Sequence, residues 1–255
     1  MEIGLLILGI VAGILSGLFG IGGGIVMVPM LIAVFGMSIF DANSTSLAAM
    51  LLPVGILGVI TYYKAGFINL RDSLWVSFGL LAGSYLGSEL AVNMEGTLLA
   101  KLYACFLIYI AVDYLNIPVL LRKKKEEVNS VLDSFHPAWQ FIALGVFAGV
   151  IAGLFGKGGG LVIVPALIKL FKYEPKKAAA TSLAALQLPV GLPAVIVYAE
   201  SGHLHLLYAA MIATGIVAGA FLGTKIAIKM PSTIFKRVYA VFLVTMAFYL
   251  VFKYV

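Results

Sequence analysis

One passage of this chain is written twice, 136 positions apart and without a gap. Gly17-Leu18-Phe19-Gly20-Ile21-Gly22-Gly23-Gly24, closed by Pro29, returns as Gly153-Leu154-Phe155-Gly156-Lys157-Gly158-Gly159-Gly160, closed by Pro165. The match continues past the glycines. Thr45-Ser46-Leu47-Ala48-Ala49 answers Thr181-Ser182-Leu183-Ala184-Ala185, and Leu52-Pro53-Val54-Gly55 answers Leu188-Pro189-Val190-Gly191. Tyr62 and Gly66 answer Tyr198 and Gly202, and Gly79, Gly83 and Gly87 answer Gly215, Gly219 and Gly223. A constant offset over so many positions is a tandem duplication, and whatever one half folds into the other must fold into as well. The division is a first repeat over 1–121, a polar linker over 122–137 and a second repeat over 138–255.

The solvent for this fold is lipid. The 255 residues are 62% hydrophobic and 11% charged, with mean hydropathy +1.10. Soluble domains carry about 25% charged residues. The formal charge of +6 would suggest nucleic acid in a soluble protein. Here the basic residues sit in short loops between apolar runs, where they report orientation in the bilayer, and nucleic acid is excluded as a partner. Cys105 is the one cysteine, so neither an intrachain disulfide nor a cysteine metal site is available. The start, Met1-Glu2-Ile3, lacks the basic stretch of a cleavable signal, so the first apolar run is expected to be retained.

Each half divides into five apolar pieces, at 3–19, 25–36, 44–63, 73–92 and 98–118, then 139–155, 161–171, 180–199, 207–227 and 235–253. The second piece of each half is short: twelve helical residues cover about 18 Å of a hydrocarbon core about 30 Å thick. The economical reading is a re-entrant hairpin, with its glycine tip inside the membrane. Loop charges orient the halves. Arg122-Lys123-Lys124-Lys125 marks the linker as cytoplasmic. Counting outward from it, loop 64–71 and the four-lysine loop 169–177 are inside. Loop 36–43, with Asp41, and loop 200–206, with Glu200, His203 and His205, are outside. Both termini are then expected outside. Equivalent loops thus carry opposite charge bias, as inverted halves require. The expected fold is an all-α polytopic membrane protein of two inverted five-segment repeats, each with a glycine-tipped hairpin.

Adjacent glycines allow positive φ and leave backbone N–H groups uncovered, and irregular backbone at membrane depth must line protein or a cavity. Helices that begin just after the glycines would aim free N–H groups and positive dipole ends into that cavity, a cradle for an anion. Gly22, Gly23, Gly24, Gly158, Gly159 and Gly160 are the backbone candidates. Asn43, Thr45, Ser46, Thr181 and Ser182 are the nearest polar side chains, with helix N-capping the competing role for Asn43 and Ser44. Gln187 replaces Leu51 of the first half and stands either for ligand contact or for interhelical bonding. Lys157, where the first half has Ile21, is costly at mid-depth unless a carboxylate, water or an anion accompanies it; snorkelling to an interface is the alternative. Pro53 and Pro189 sit mid-span and are expected to kink or hinge their helices. The glycines spaced by four read as helix-packing positions.

Catalysis finds little support. GKGGG is no phosphate loop, since Ile151 stands where the first glycine would be and no Ser or Thr follows Lys157. His203 and His205 are expected in a solvated loop, and no cluster has metal-ligand spacing. No cofactor is expected. Glu89 and Asp113 are the sparse acids that leave proton or sodium coupling open.

The doubled Gly-x-Gly-Gly-Gly, with Val28-Pro29 and Val164-Pro165, followed by Thr-Ser-Leu at 45–47 and 181–183, resembles the sulfite exporter TauE/SafE family, also called the toluene sulfonate uptake permeases. The resemblance covers nearly the whole chain. It implies a polytopic inner-membrane transporter for sulfur-containing anions such as sulfite, sulfonates or sulfoacetate. Inverted repeats with broken helices at their interface describe many secondary transporters, so alternating access is the expected mechanism, with a homodimer left open. A passive anion channel and a membrane-embedded scaffold or enzyme are the alternatives.

Overall fold

The computed structural model describes residues 2–19, 23–51, 55–106, 109, 136–156, 159–231, 234 and 241. All regular structure among them is helical. The first half supplies α1 (Glu2–Phe19), α2 (Gly24–Phe35), α3 (Ile39–Ala49), α4 (Ile56–Lys64) and α5 (Leu70–Val92). Then comes α6 (Gly96–Phe106). The second half supplies α7 (Ala138–Phe155), α8 (Gly160–Lys169), α9 (Pro175–Ala185), α10 (Leu192–Glu200) and α11 (Leu206–Lys229). By length and composition α1, α7 and α11 can each cross a membrane. The linker up to residue 135 and most of the fifth piece of each half lie outside the described residues.

The halves exchange partners. α1 of the first half packs along α11 of the second, and α5 of the first packs along α7 of the second. Glycine makes both contacts. A Cβ on Gly79, Gly83 or Gly87 would lie 2.1–2.2 Å from a carbonyl oxygen of α7, at Ile142, Val146 or Val150. A Cβ on Gly215, Gly219 or Gly223 would lie 2.0–2.4 Å from the oxygens of Leu6, Ile10 or Ile14 on α1. No larger residue fits where backbone meets backbone, which is how helices associate without a hydrophobic driving force between them. The packing role expected of these glycines is the one they have.

The third piece of each half departs from expectation. In place of one kinked span, each half has an eleven-residue helix and a nine-residue helix, α3 with α4 and α9 with α10. Pro189 lies in the non-helical stretch between α9 and α10, where the Leu192 N–H bonds back to its carbonyl. It breaks the helix, because its ring removes a donor and excludes the α conformation from Leu188. Its counterpart Pro53 lies outside the described residues. The breaks cross one another: Gly55 abuts Leu183 and Gln187, and Gly191 abuts Leu47.

A serine stripe on α5 holds one break and not the other. Ser73, Ser77 and Ser84 fall on one helix face, since steps of four and eleven residues return within about 40°. Their hydroxyls donate to the carbonyls of Thr181 (3.0 Å), Ala185 (2.7 Å) and Val190 (2.7 Å). The matching positions on α11 are Ala209, Ala213 and Ala220, which have no hydroxyl to offer the first half.

Candidate functional site

Both short helices begin where the glycines predict. Gly23 has φ 77° and Gly159 φ 68°, the left-handed region that glycine enters without strain. Gly24 and Gly160 open α2 and α8, and neither helix has a side-chain cap. The carbonyls of Gly23 and Gly159 accept bonds from two residues of the following turn. Helix geometry gives the N–H groups ahead of those residues no intrahelical partner at this buried end, the arrangement that attracts negative charge. Gly22, Lys157 and Gly158 lie outside the described residues.

Each tip is tied down by a tyrosine at the repeat offset. The Tyr62 hydroxyl donates to the Gly17 carbonyl at 3.1 Å, and the Tyr198 hydroxyl to the Gly153 carbonyl at 3.0 Å. Both rings are fully buried. The sequence marked these tyrosines only as repeat positions; their anchoring role depends on tertiary placement. Thr224 on α11 adds a bond to the Gly17 carbonyl at 3.4 Å. Phe155, beside the second tip, is stacked by Tyr103 and Phe106 of α6, each at 5.4 Å.

The polar run Asn43, Ser44, Thr45 and Ser46 is wholly buried but does not converge on one point. Successive helical residues turn about 100°, so Asn43 and Ser46 share a face while Thr45 looks away from Asn43. None of the four is an N-cap. Ser38 caps α3 by accepting from the Asp41 N–H at 3.1 Å, which places Asn43 in the second turn. The oxygens Asn43 Oδ1, Ser44 Oγ, Thr45 Oγ1 and Ser46 Oγ are all buried without a hydrogen-bond partner. Such groups are uncommon in folded proteins.

The opposite half differs. Thr181 Oγ1 accepts from the Asn69 N–H at 3.5 Å, at the cap of α5, and Ser182 is also engaged. Beside them Asn69 and Asp72 form a reciprocal cap, with the Tyr173 hydroxyl donating to the Asp72 carboxylate. Gln187 donates to the Leu183 carbonyl at 2.8 Å and leaves Oε1 buried and unpartnered at the crossing of the breaks.

Asn43 hydrogen-bonds from the first half to the second at this tip. Its Nδ2 donates to the Leu154 carbonyl at 3.0 Å and to the Tyr198 hydroxyl at 3.4 Å. A carbonyl can only accept, so this bond fixes which end of the amide faces α7. The donor end is thereby committed and only the acceptor remains.

The two loops expected on the outer side meet. His203 Nδ1 lies 2.9 Å from Asp41 Oδ1 and His205 Nε2 lies 3.7 Å from it. His203 is therefore paired rather than freely solvated. Partial burial pushes the Asp41 carboxyl up, but the Ser38 hydroxyl and the two imidazoles outweigh it and hold it below the usual carboxylate range.

Comparison with known proteins supplies the family. The family model described as Sulfite exporter TauE/SafE matches residues 5–250. The chain is 31% identical to the probable membrane transporter protein MJ0441 of Methanocaldococcus jannaschii, over 87% of this chain and 85% of that one. It is 29% identical to the probable membrane transporter protein YunE of Bacillus subtilis, over 89% and 88%. The probable membrane transporter protein YdhB of the same organism is 29% identical over 91% of each. No solved structure matches.

Proposed function

The chain belongs to the sulfite exporter TauE/SafE family of membrane transporters, and from that premise we propose that it is a secondary transporter of small sulfur-containing anions. The observation that carries the reading is the pair of buried, uncapped N-termini of α2 and α8, each entered through a glycine with positive φ. Amides of Gly23, Gly24, Gly159 and Gly160 supply donors without adding side-chain charge, which suits an anion that must bind and then leave. Gly22 and Gly158 extend the same runs in sequence, and Lys157, next to Gly158, adds a cation. In this reading the hydroxyls of Thr45, Ser46, Thr181 and Ser182 assist as secondary donors. Asn43 leaves the anion set, because its donor end is already used.

In this reading the halves are inverted in the membrane, α2 and α8 are the returning arms of re-entrant hairpins, and the repeats rock about the anion to alternate access. The meeting of Asp41 with His203 and His205 supports a shared side for loops 36–43 and 200–206.

The test is a thermal-stability screen of the purified protein against sulfite, thiosulfate, sulfoacetate and taurine, with carboxylates as controls. A ligand that prefers the folded form raises Tm. Sulfur anions are expected to do so, and a response no greater than that of the carboxylates overturns the substrate class. Lys157→Ala is expected to weaken the anion response about tenfold or more, the worth of a hydrogen bond to a charged group, while Tm without ligand holds.

A further inference from the structure

We propose that the second hairpin tip carries a sodium subsite, separate from the anion cradle, whose marker is the amide oxygen of Asn43. The inference rests on the transporter reading and gives it a coupling ion. Three observations meet at this place. Asn43 is 0% exposed, and its Oδ1 has no hydrogen-bond partner. Its amide cannot be turned round, because Nδ2 is held by the Leu154 carbonyl at 3.0 Å. The group left over is thus an acceptor alone, and only a cation or a donor satisfies it.

The helix end beside it has the same sign. Gly153 and Leu154 belong to the last turn of the eighteen-residue helix α7, whose C-terminal end carries the negative pole of the helix dipole. Asn43 and Tyr198 reach the carbonyls of this turn from α3 and α10. Gly156, with φ 65°, ends the helix and brings the tip against Asn43: a Cβ there would lie 2.7 Å from Oδ1 and 2.4 Å from the Asn43 Cα. The broken helix therefore offers unlike poles within a few residues, the C-terminal end of α7 for a cation and the N-terminal end of α8 for an anion.

The oxygens that gather here, Asn43 Oδ1 and the α7 carbonyls, are neutral. That set suits a singly charged ion better than calcium or magnesium, whose sites use carboxylates. The subsite occurs once per chain. Ala179 stands at the position matching Asn43, so the first tip has no equivalent oxygen.

The experiment titrates sodium chloride against N-methyl-D-glucamine chloride at constant ionic strength, on purified full-length protein without any sulfur anion, and reads Tm. Sodium at about ten times its Kd is expected to raise Tm by about 3 °C or more, and Asn43→Ala is expected to abolish the rise. Alanine already fills the matching place at 179, and the wild-type titration stands by itself should the variant fail to fold. No sodium effect in the wild type, or the same effect in Asn43→Ala, overturns the proposal. A shift with ammonium or an amine-bearing substrate but none with sodium also overturns it, since the oxygen would then serve a substrate's own donor. The anion screen fails separately, because sodium is the only variable here.

Discussion

Tyr62 and Tyr198 occupy matching places and make matching bonds to the tips, yet Tyr198 alone also receives the Asn43 amide. Removing the Tyr198 hydroxyl leaves a buried carbonyl and a buried amide short of partners, where removing that of Tyr62 leaves Gly17 still in contact with Thr224. Leaving a buried polar group unsatisfied costs about 1–3 kcal/mol. Tyr198→Phe is accordingly expected to lower Tm more than Tyr62→Phe, and equal losses would count against a special role for the second tip. Asp41 gives a pH test. Its carboxyl is held below the usual range, so its contribution is fully present above the unfolded pKa of about 3.9 and is lost as pH falls through the lowered folded value. The Tm difference between wild type and Asp41→Asn is expected to shrink as pH falls below about 5. A difference that grows on acidification would contradict the pairing.

Among the elements, α3 and α9 are equivalent in sequence and unequal in restraint. α9 and the break after it accept three serine hydroxyls from α5, while α11, which packs on α3, has alanines at the matching positions, and α3 carries four unpartnered buried oxygens. Hydrogen exchange is expected to be slower in α9 than in α3, and Ser77→Ala with Ser84→Ala is expected to narrow the gap, each losing about 1 kcal/mol. Exchange that is equal in the wild type would rule this out. The glycine contacts are stricter. Gly83→Leu or Gly219→Leu must push the paired backbones away from each other, and overpacking alone costs about 1–3 kcal/mol. Loss of a monodisperse folded species on size exclusion is the expected result.

How much of this was legible varies by element. The positive-φ glycines and the starts of α2 and α8 could be read from three adjacent glycines, because no other residue type tolerates that backbone so readily. The competing role of Asn43 and Ser44 as caps failed because Ser38-x-x-Asp41 lies one turn earlier and carries the stronger signal. The mid-span prolines pointed to a bend, but helix length alone could not distinguish a kink from the break seen between α9 and α10. The stripe Ser73, Ser77 and Ser84 was present in the sequence as a helical face. Its purpose was hidden, since its partners lie more than a hundred residues away.

At the scale of the molecule, the orientation of the two halves is the proposal with the most direct check. With Cys105 replaced by serine, single cysteines placed at Asp41 and Glu200 are expected to react with a membrane-impermeant maleimide from outside intact cells. Cysteines at Lys64 and Lys172 are expected to react only after permeabilisation. Labelling of Lys172→Cys from outside would show that the halves are not inverted. The exchanged pairs, α1 with α11 and α5 with α7, bear on what the two repeats are to each other. Neither repeat owns the surface that covers its own glycine face. Severed from its sibling, a lone repeat would leave that glycine face bare unless a second copy of itself covered it. Duplication within one chain supplies that cover permanently, after which each former twin could drift toward its own task, as Asn43 against Ala179 shows.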